Sequence, residues 1–205
     1  ASLSGYTVIS PREGFKDIKV YSDIKGVDFK LTAYFISGKV ILWQSPGTVT
    51  SVTMTLDGPS GKQTISPRSN GTYSFSPLLP GTYTVTATLA NHTVIVPKDG
   101  GSRTVTISPS AGNVDFTLAA YAISGTVKVL DYTGPSGTVV YCESAEGTQQ
   151  YTVDGTGRFR FYPLAAGQYR LWAVRSSYET TLPSEGEYIF RLTSWTTKNF
   201  ILKKR

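Results

Sequence analysis

The sequence predicts an all-β protein made of tandem β-sandwiches with about seven strands each. Three observations predict this fold: motifs that recur at a constant spacing, apolar residues that alternate with polar ones, and frequent turn residues. The 205 residues include 20 glycines and 11 prolines, the residue types that punctuate short strands. No stretch shows the periodicity of a long amphipathic helix.

Two motifs show the recurrence most clearly. Ile-Ser-Gly occurs at residues 36–38 and again at residues 123–125, 87 positions later. Pro-Leu-x-x-Gly-x-Tyr occupies residues 77–83 and returns at residues 163–169, 86 positions later. A repeat of this length indicates that each copy folds as one structural unit. The sequence therefore predicts two complete domains, residues 36–121 and residues 122–205.

Within each copy, apolar residues alternate with threonines over short stretches. Tyr83, Val85 and Ala87 are separated by Thr84 and Thr86. Successive side chains of a strand point to opposite faces, so this pattern predicts a half-buried strand. About seven such strands fit in each copy, and an antiparallel set of that size packs as two sheets.

The front of the chain carries the back end of a third copy. Prolines occupy the same position of all three copies, at Pro11, Pro97 and Pro183. Residues 27–31 match residues 114–118. We therefore expect residues 1–35 to form the last strands of an incomplete sandwich. Its apolar face would comprise Ile18, Val20, Val27, Phe29 and Leu31.

An exposed apolar face of this kind must be buried by further strands, and two explanations of where those strands come from are open. The chain is either a fragment of a longer array of repeats, or the segment is completed by strands of another chain. Strand addition of the second kind uses the unpaired backbone groups of an edge strand, and it joins subunits head to tail.

The repeat resembles a known family of modules. Residues 153–161 read Val-Asp-Gly-Thr-Gly-Arg-Phe-Arg-Phe and are followed by Gly-Gln-Tyr at residues 167–169. Residues 70–75 and 79–85 repeat this pattern. The chain thus resembles tandem carboxypeptidase regulatory-like domains over most of residues 36–205. The resemblance implies a seven-stranded, immunoglobulin-like sandwich of the transthyretin or prealbumin type, found in secreted or surface-anchored prokaryotic proteins. Such modules serve as spacers, stalks, neighbours of carbohydrate-binding domains and assembly modules.

Composition argues against several classes of function. The net charge is +6, but the basic residues are scattered, so we expect no nucleic-acid partner. No run of about 20 apolar residues could span a bilayer. His92 is the only histidine and Cys142 the only cysteine. We expect a structural aromatic-type role for His92 and a buried, inert thiol for Cys142. No spacing of ligands indicates a metal or cofactor site, and no residues indicate an enzyme.

The tryptophans are the best candidates for contacts with a ligand or partner. Trp172 should face outward if Tyr169 and Leu171 face inward, while Trp43 ends a strand and Trp195 lies in a loop. Such rings pack against a neighbouring domain or stack on sugar rings. Asn70 and Asn91 each begin an Asn-x-Thr sequon, and their glycosylation is left open.

We therefore expect a non-enzymatic structural module of an extracellular or cell-surface assembly: a stalk, a spacer or a filament subunit. Its partners would be neighbouring repeats or copies of itself. One alternative is an adhesion module that uses exposed aromatic residues to bind polysaccharide or protein. Another is a set of accessory domains of a secreted hydrolase.

Overall fold

The computed structural model confirms the all-β prediction. It describes residues 3, 6–13, 15–19, 25–98, 101–131 and 133–205. These residues form nineteen strands and one short 3₁₀ helix, Val49–Ser51. Two compact units are present. The first comprises Ala1–Leu42, Gly47–Leu89 and Val94–Leu118, and the second comprises Trp43–Pro46, Ala90–Thr93 and Ala119–Arg205.

The front of the first unit forms a two-stranded antiparallel sheet. Its strands are β1 (Thr7–Ser10) and β2 (Lys30–Thr32), with Val8 opposite Leu31. Among the described residues, β1 is the only strand that pairs with β2 through backbone hydrogen bonds. Val20, one of the predicted apolar residues, lies outside the described residues.

Most of the rest of the first unit forms a sandwich of two four-stranded sheets, three of whose strands end or begin with a residue grouped with the second unit. Its strands are β3 (Tyr34–Trp43), β4 (Thr53–Asp57), β5 (Gln63–Ile65), β6 (Thr72–Leu78), β7 (Gly81–Thr88), β8 (Thr93–Val96), β9 (Ser102–Ile107) and β10 (Phe116–Ala119). One sheet has the order β6-β3-β10-β8 and the other has the order β5-β4-β7-β9.

The second unit has the same strand order. Its strands are β11 (Tyr121–Val129), β12 (Val139–Ser144), β13 (Gly147–Thr152), β14 (Arg158–Leu164), β15 (Gly167–Val174), β16 (Tyr178–Leu182), β17 (Glu187–Leu192), β18 (Thr196–Thr197) and β19 (Phe200–Lys204). The sheets are β14-β11-β19-β16 and β13-β12-β15-β17, and the short β18 also pairs with β11. The described strands of the two sandwiches number eight and nine, more than the seven expected.

Each unit closes its own apolar core. The core of the first includes Ile36, Met54, Phe75, Tyr83 and Phe116, and that of the second includes Ile123, Cys142, Phe161, Leu171 and Phe200. These residues come from both sheets of their unit. Burial of apolar side chains between two sheets is the main stabilising term of a sandwich.

The alternation of β7 confirms its predicted half-buried character. Tyr83, Val85 and Ala87 are buried, whereas Thr84 is exposed and Thr86 is half-buried on the other face. Threonine suits an exposed sheet face because its branched side chain is stiff in extended backbone.

The Pro-Leu-x-x-Gly-x-Tyr motif encodes a turn closed by its tyrosine. The hydroxyl of Tyr83 donates to the carbonyl of Leu79 at 2.9 Å, and that of Tyr169 donates to the carbonyl of Ala165 at 3.0 Å. Each tyrosine thus fastens the backbone four residues upstream while its ring fills the core. A buried phenol needs such a partner, because an unpaired hydroxyl in the core is costly.

The glycine of the Ile-Ser-Gly motif marks a close approach of two backbone segments. A Cβ added to Gly38 would lie 2.2 Å from the carbonyl oxygen of Val114. At Gly125 the distance to the carbonyl oxygen of Lys198 would be 1.6 Å. Only glycine leaves room for the segment that runs beside the first strand of each sandwich and is hydrogen-bonded to it, which is a physical reason for the recurrence of the motif.

Candidate functional site

Trp172 lies on the outer face of β15, but neighbouring side chains cover its ring. It stands opposite Tyr141 of β12, and the two rings stack with centroids 5.1 Å apart and 10° between their planes. The guanidinium of Arg170 lies 4.7 Å from the centroid of the indole. The side chain is half-buried, so its surface is already largely used within the unit.

Two carboxylates hold Arg170 over this ring. Its Nε lies 2.5 Å from an oxygen of Glu187, and its Nη1 lies 3.5 Å from an oxygen of Glu143. The hydrogen bond to Glu187 is the main cause that raises the pKa of Arg170. Such exposed ion pairs add little stability. Here they accompany the position of the Arg170 guanidinium over the indole of Trp172.

Trp195 has a different environment, at the other sheet of the same unit. The residue is 52% exposed, and its indole N–H donates a long hydrogen bond of 3.4 Å to the carbonyl of Ala120. Tyr162 of β14 meets the indole edge to face, with centroids 6.1 Å apart. The guanidinium of Arg160 lies 4.5 Å from the ring centroid of Tyr162 and 5.2 Å from that of Trp195.

A cleft of about 390 Å³ adjoins this cluster through Arg160. Its lining combines basic, aromatic and small polar side chains, among them Ser124, Thr126, Tyr151, Arg158, Arg160 and Asn199. The backbone N–H and the hydroxyl of Thr126 both donate to Oδ1 of Asn199, each at 3.0 Å. This volume lies within the usual range of small-molecule clefts, about 300–1,000 Å³.

The predicted contact residues do not form one site. Trp172 lies on β15, whereas Trp195 directly precedes β18, which pairs with the other sheet of that sandwich. Trp43 lies at the end of β3 and is 48% exposed. Their role as contacts with a ligand or partner stays a prediction. In the front segment, Ile18 and Val27 are 42% and 40% exposed, whereas Phe29 and Leu31 are half-buried.

His92 is held at both ring nitrogens. Nδ1 lies 2.7 Å from the carbonyl oxygen of Ala90, and Nε2 lies 2.6 Å from the hydroxyl of Ser45. In the neutral imidazole, Nδ1–H therefore donates to the carbonyl and Nε2 accepts from the serine. A hydroxyl beside an imidazole resembles part of a nucleophilic site, but here a carbonyl replaces the carboxylate that orients a catalytic histidine. These two hydrogen bonds give His92 a structural role.

Cys142 is buried, as predicted, within the core of the second unit. Burial raises the pKa of its thiol to about 12, so the reactive thiolate is scarce at neutral pH. Over the described ranges, no three His, Cys, Asp or Glu side chains are placed to hold a metal ion. The same residues include no helix long and apolar enough to cross a membrane.

Asp131 is the centre of a hydrogen-bonded cluster in the second unit. The N–H and hydroxyl of Thr133 donate to its Oδ1 at 2.9 and 2.6 Å, and the hydroxyl of Tyr178 donates to its Oδ2 at 2.5 Å. Arg175 stacks on the ring of Tyr178 at 4.5 Å and donates to the carbonyl of Gly134. The hydrogen bonds from Thr133 and then from Tyr178 lower the pKa of Asp131 to about 2.

We expect the stability of the second unit to depend less on pH in the acidic range when Asp131 is replaced in Asp131→Asn. The pKa of this carboxyl is lower in the folded state, so its stabilising effect is complete above about pH 4 and is lost as the pH falls toward 2. The melting temperature of the wild type should fall more steeply over this range than that of the variant. Asp57→Asn, at an exposed strand end of the first unit, is the control. Equal slopes for Asp131→Asn and the wild type would refute the prediction.

Sequence reasoning overlooked the residues around Trp195. Arg158, Arg160 and Tyr162 alternate with Phe159 and Phe161, which are buried. The period of two could have placed the first three on one outer face. Their position beside Trp195 could not be found in this way, because Trp195 lies more than thirty residues further along the chain.

Comparisons with known proteins support the sandwich fold. A family model described as the second beta sandwich domain of BOS complex subunit NOMO1-like proteins matches residues 31–117, less than half of the chain. A comparison with curated protein sequences found no match. The carboxypeptidase regulatory-like assignment stays a prediction.

Solved structures with a similar fold include pilins. The minor pilin GBS52 of Streptococcus agalactiae is 13% identical, with a TM-score of 0.50 over 84% of this chain and 97% of that chain. A streptococcal ancillary pilin is 15% identical, with a TM-score of 0.48 over 84% and 62% of the two chains. The D295N mutant of the shaft pilin SpaA of Lactobacillus rhamnosus GG is 9% identical, with a TM-score of 0.42 over 84% and 98%. At these identities, the likeness to GBS52 shows the fold alone.

Proposed function

We propose that this chain is a non-enzymatic structural module of an extracellular or cell-surface assembly, as a stalk, a spacer or a filament subunit. The supporting observation is that each sandwich closes its own core and uses its characteristic motifs for folding. The motif glycines Gly38 and Gly125 allow a close approach of two backbone segments, and the hydroxyls of the motif tyrosines Tyr83 and Tyr169 hydrogen-bond the turns before them. The solved pilin GBS52 shares this fold, which is compatible with the same kind of role.

We propose further that residues 1–35 belong to an incomplete sandwich that another chain completes. The strand β1 corresponds to β8, and β2 corresponds to β10. In the first sandwich, β10 lies between β8 and β3, and in the second, β19 lies between β16 and β11. The described residues provide β2 with β1 on one side and with no strand on the other. A first strand from another chain would fill that position and cover the exposed apolar residues.

The oligomeric state of the full chain tests strand addition. Light scattering coupled to size-exclusion chromatography should show concentration-dependent dimers or longer species for the wild type. Leu31→Asp places a charge on the half-buried face of β2 and should shift the protein to monomers. Ile189→Asp, at a 70% exposed apolar position of β17, is the control and should associate as the wild type does.

A wild type that stays monomeric at all concentrations would contradict completion by another chain. It would favour the other explanation, in which preceding residues of a longer polypeptide supply the missing strands. Association that is equal in Leu31→Asp and the wild type would show that a different surface joins the chains.

A further inference from the structure

We propose that the cleft beside Trp195 in the second unit binds an acidic polysaccharide, meaning a glycan that carries carboxylate or sulfate groups. The site comprises Trp195, Tyr162, Arg158, Arg160 and the polar lining residues Ser124, Thr126 and Asn199. It does not depend on the assembly role proposed above, because all of its residues lie within one sandwich. It would give that sandwich a binding activity in addition to a structural one.

The charge of the site favours an anionic ligand. Arg158 and Arg160 both line the cleft, and both side chains are exposed on the outer face of β14. The lining contains no Asp or Glu, and within the described chain neither guanidinium forms an ion pair with a carboxylate. Lys128 continues the basic surface along β11, two residues beyond Thr126. Unpaired guanidinium groups bind carboxylate and sulfate oxygens through forked, charge-assisted hydrogen bonds.

The aromatic part of the site favours a sugar ring beside those anionic groups. The indole of Trp195 is exposed by half, and its N–H is tied to the carbonyl of Ala120. Tyr162 and Arg160 support it from one side, so the ring is held in place before any ligand arrives. A rigid aromatic side chain offers a large contact area at a small entropic cost. Hydroxyl and amide groups of Ser124, Thr126 and Asn199 provide hydrogen-bonding partners for sugar hydroxyls.

The first sandwich shows that the fold does not require these residues. Arg158 pairs with Thr126 in the second unit, and the corresponding pair in the first unit is Thr72 with Lys39. Arg160 pairs with Ser124, and the corresponding residue of the first unit is Ser74, which pairs with Ser37. Tyr162 follows Arg160 by two positions, where the first unit has Ser76. Small polar residues therefore suffice at these positions of the same strand, so the two arginines are an addition to the architecture. Tyr162 differs from them, because its hydroxyl also donates to the carbonyl of Gln44 at 2.8 Å.

Trp172 serves as an internal contrast to this site. Tyr141 already stacks on the ring of Trp172. The charge of the neighbouring Arg170 is already paired with Glu143 and Glu187. Arg160 has aromatic neighbours but no such acidic partners among the described residues. Of Trp172 and Trp195, the two outward tryptophans of this sandwich, Trp195 is thus the one that retains capacity for an anionic ligand.

Titration of the full chain with polygalacturonate, followed by tryptophan fluorescence and isothermal calorimetry, tests the proposal. The probe carries a carboxylate on each sugar, and neutral dextran is the uncharged comparison. We expect saturable binding of polygalacturonate that weakens with added salt, and no binding of dextran. The double variant Arg158→Thr, Arg160→Ser introduces the residues of the first sandwich and should weaken binding at least tenfold. Trp195→Ala should weaken it by a similar factor.

Arg191→Ser is the control for loss of a positive charge away from the cleft, since Arg191 is exposed on β17 in the other sheet. Its binding should equal that of the wild type, and circular dichroism should show the same fold for all variants. If Trp195→Ala proves unstable, the double arginine variant at exposed positions still decides the outcome. No binding by the wild type, equal losses in Arg191→Ser, or tighter binding of a single-stranded oligonucleotide than of polygalacturonate would each overturn the proposal.

Discussion

Gly125→Ala should destabilise the second unit by about 3 kcal/mol or more, at or above the upper end of the usual cost of overpacking. The added methyl group would lie 1.6 Å from the carbonyl oxygen of Lys198 and 2.7 Å from the ring of Phe159. The nearest obstacle is backbone, so a rotamer change cannot relieve the clash. Strand β11 and the segment before β19 would have to separate, although they are hydrogen-bonded through Lys198 N–H and the carbonyl of Ser124. Equilibrium unfolding in guanidinium chloride measures the change.

Gly155→Ala is the matched control for this prediction. A Cβ at Gly155 would have no neighbouring atom within 4 Å, so its effect should stay within about 0.5 kcal/mol. Gly38→Ala should behave as Gly125→Ala does, because its Cβ would meet the carbonyl oxygen of Val114 at 2.2 Å. A loss below about 1 kcal/mol for Gly125→Ala would show that the segment around Lys198 moves aside at little cost, and would contradict a steric origin of the Ile-Ser-Gly motif.

Phe200→Ala should destabilise the second unit by about 3–5 kcal/mol, the usual range for truncating a buried phenylalanine. The side chain is fully buried on β19, and its ring lies 6.0 Å from that of Phe159 and 5.4 Å from that of Tyr188. The substitution removes apolar contacts and leaves a cavity between the two sheets. A domain of this size has a total stability of about 5–15 kcal/mol, so a large share of it would be lost. Urea unfolding provides the measurement.

Two further variants, Phe200→Leu and Ile189→Ala, distinguish the effect of side-chain volume at a buried site from the effect of truncating an apolar side chain at an exposed site. Leucine fills much of the cavity, so Phe200→Leu should recover a large part of the stability that Phe200→Ala loses. Ile189 is equally apolar, but it is 70% exposed, and Ile189→Ala should change stability by no more than about 0.5 kcal/mol. Comparable losses for Ile189→Ala and Phe200→Ala would mean that the inward face of the second sandwich has been assigned incorrectly.

Local patterns of the chain were sufficient to predict much of this fold. The alternation of Tyr83, Val85 and Ala87 with threonines predicted which side chains of β7 are buried, because a strand has a side-chain period of two. The same argument predicted that Trp172 would lie on the outer face of β15. Burial of Cys142 also followed from its position in an apolar strand.

The candidate site could be predicted only in part. Trp195 was expected to be exposed, but nothing in its surroundings along the chain indicated Arg160, Tyr162 or the adjoining cleft. Likewise, the period of two could not show that Tyr141 would stack on Trp172. The partner of a residue across a sheet depends on strand order and register, which involve residues distant in sequence.

The sequence alone determined the class of fold, the recurring motifs and the inward face of the main strands, because these depend on side-chain alternation and turn residues within short segments. Only the tertiary structure decided which aromatic side chains remain exposed. Trp172 and Trp195 are both outward residues of one sandwich, yet Tyr141 and Arg170 cover the first. The second stands beside a cleft and beside Arg160, which pairs with no carboxylate of the described residues. That difference arises from contacts between strands that are far apart along the chain.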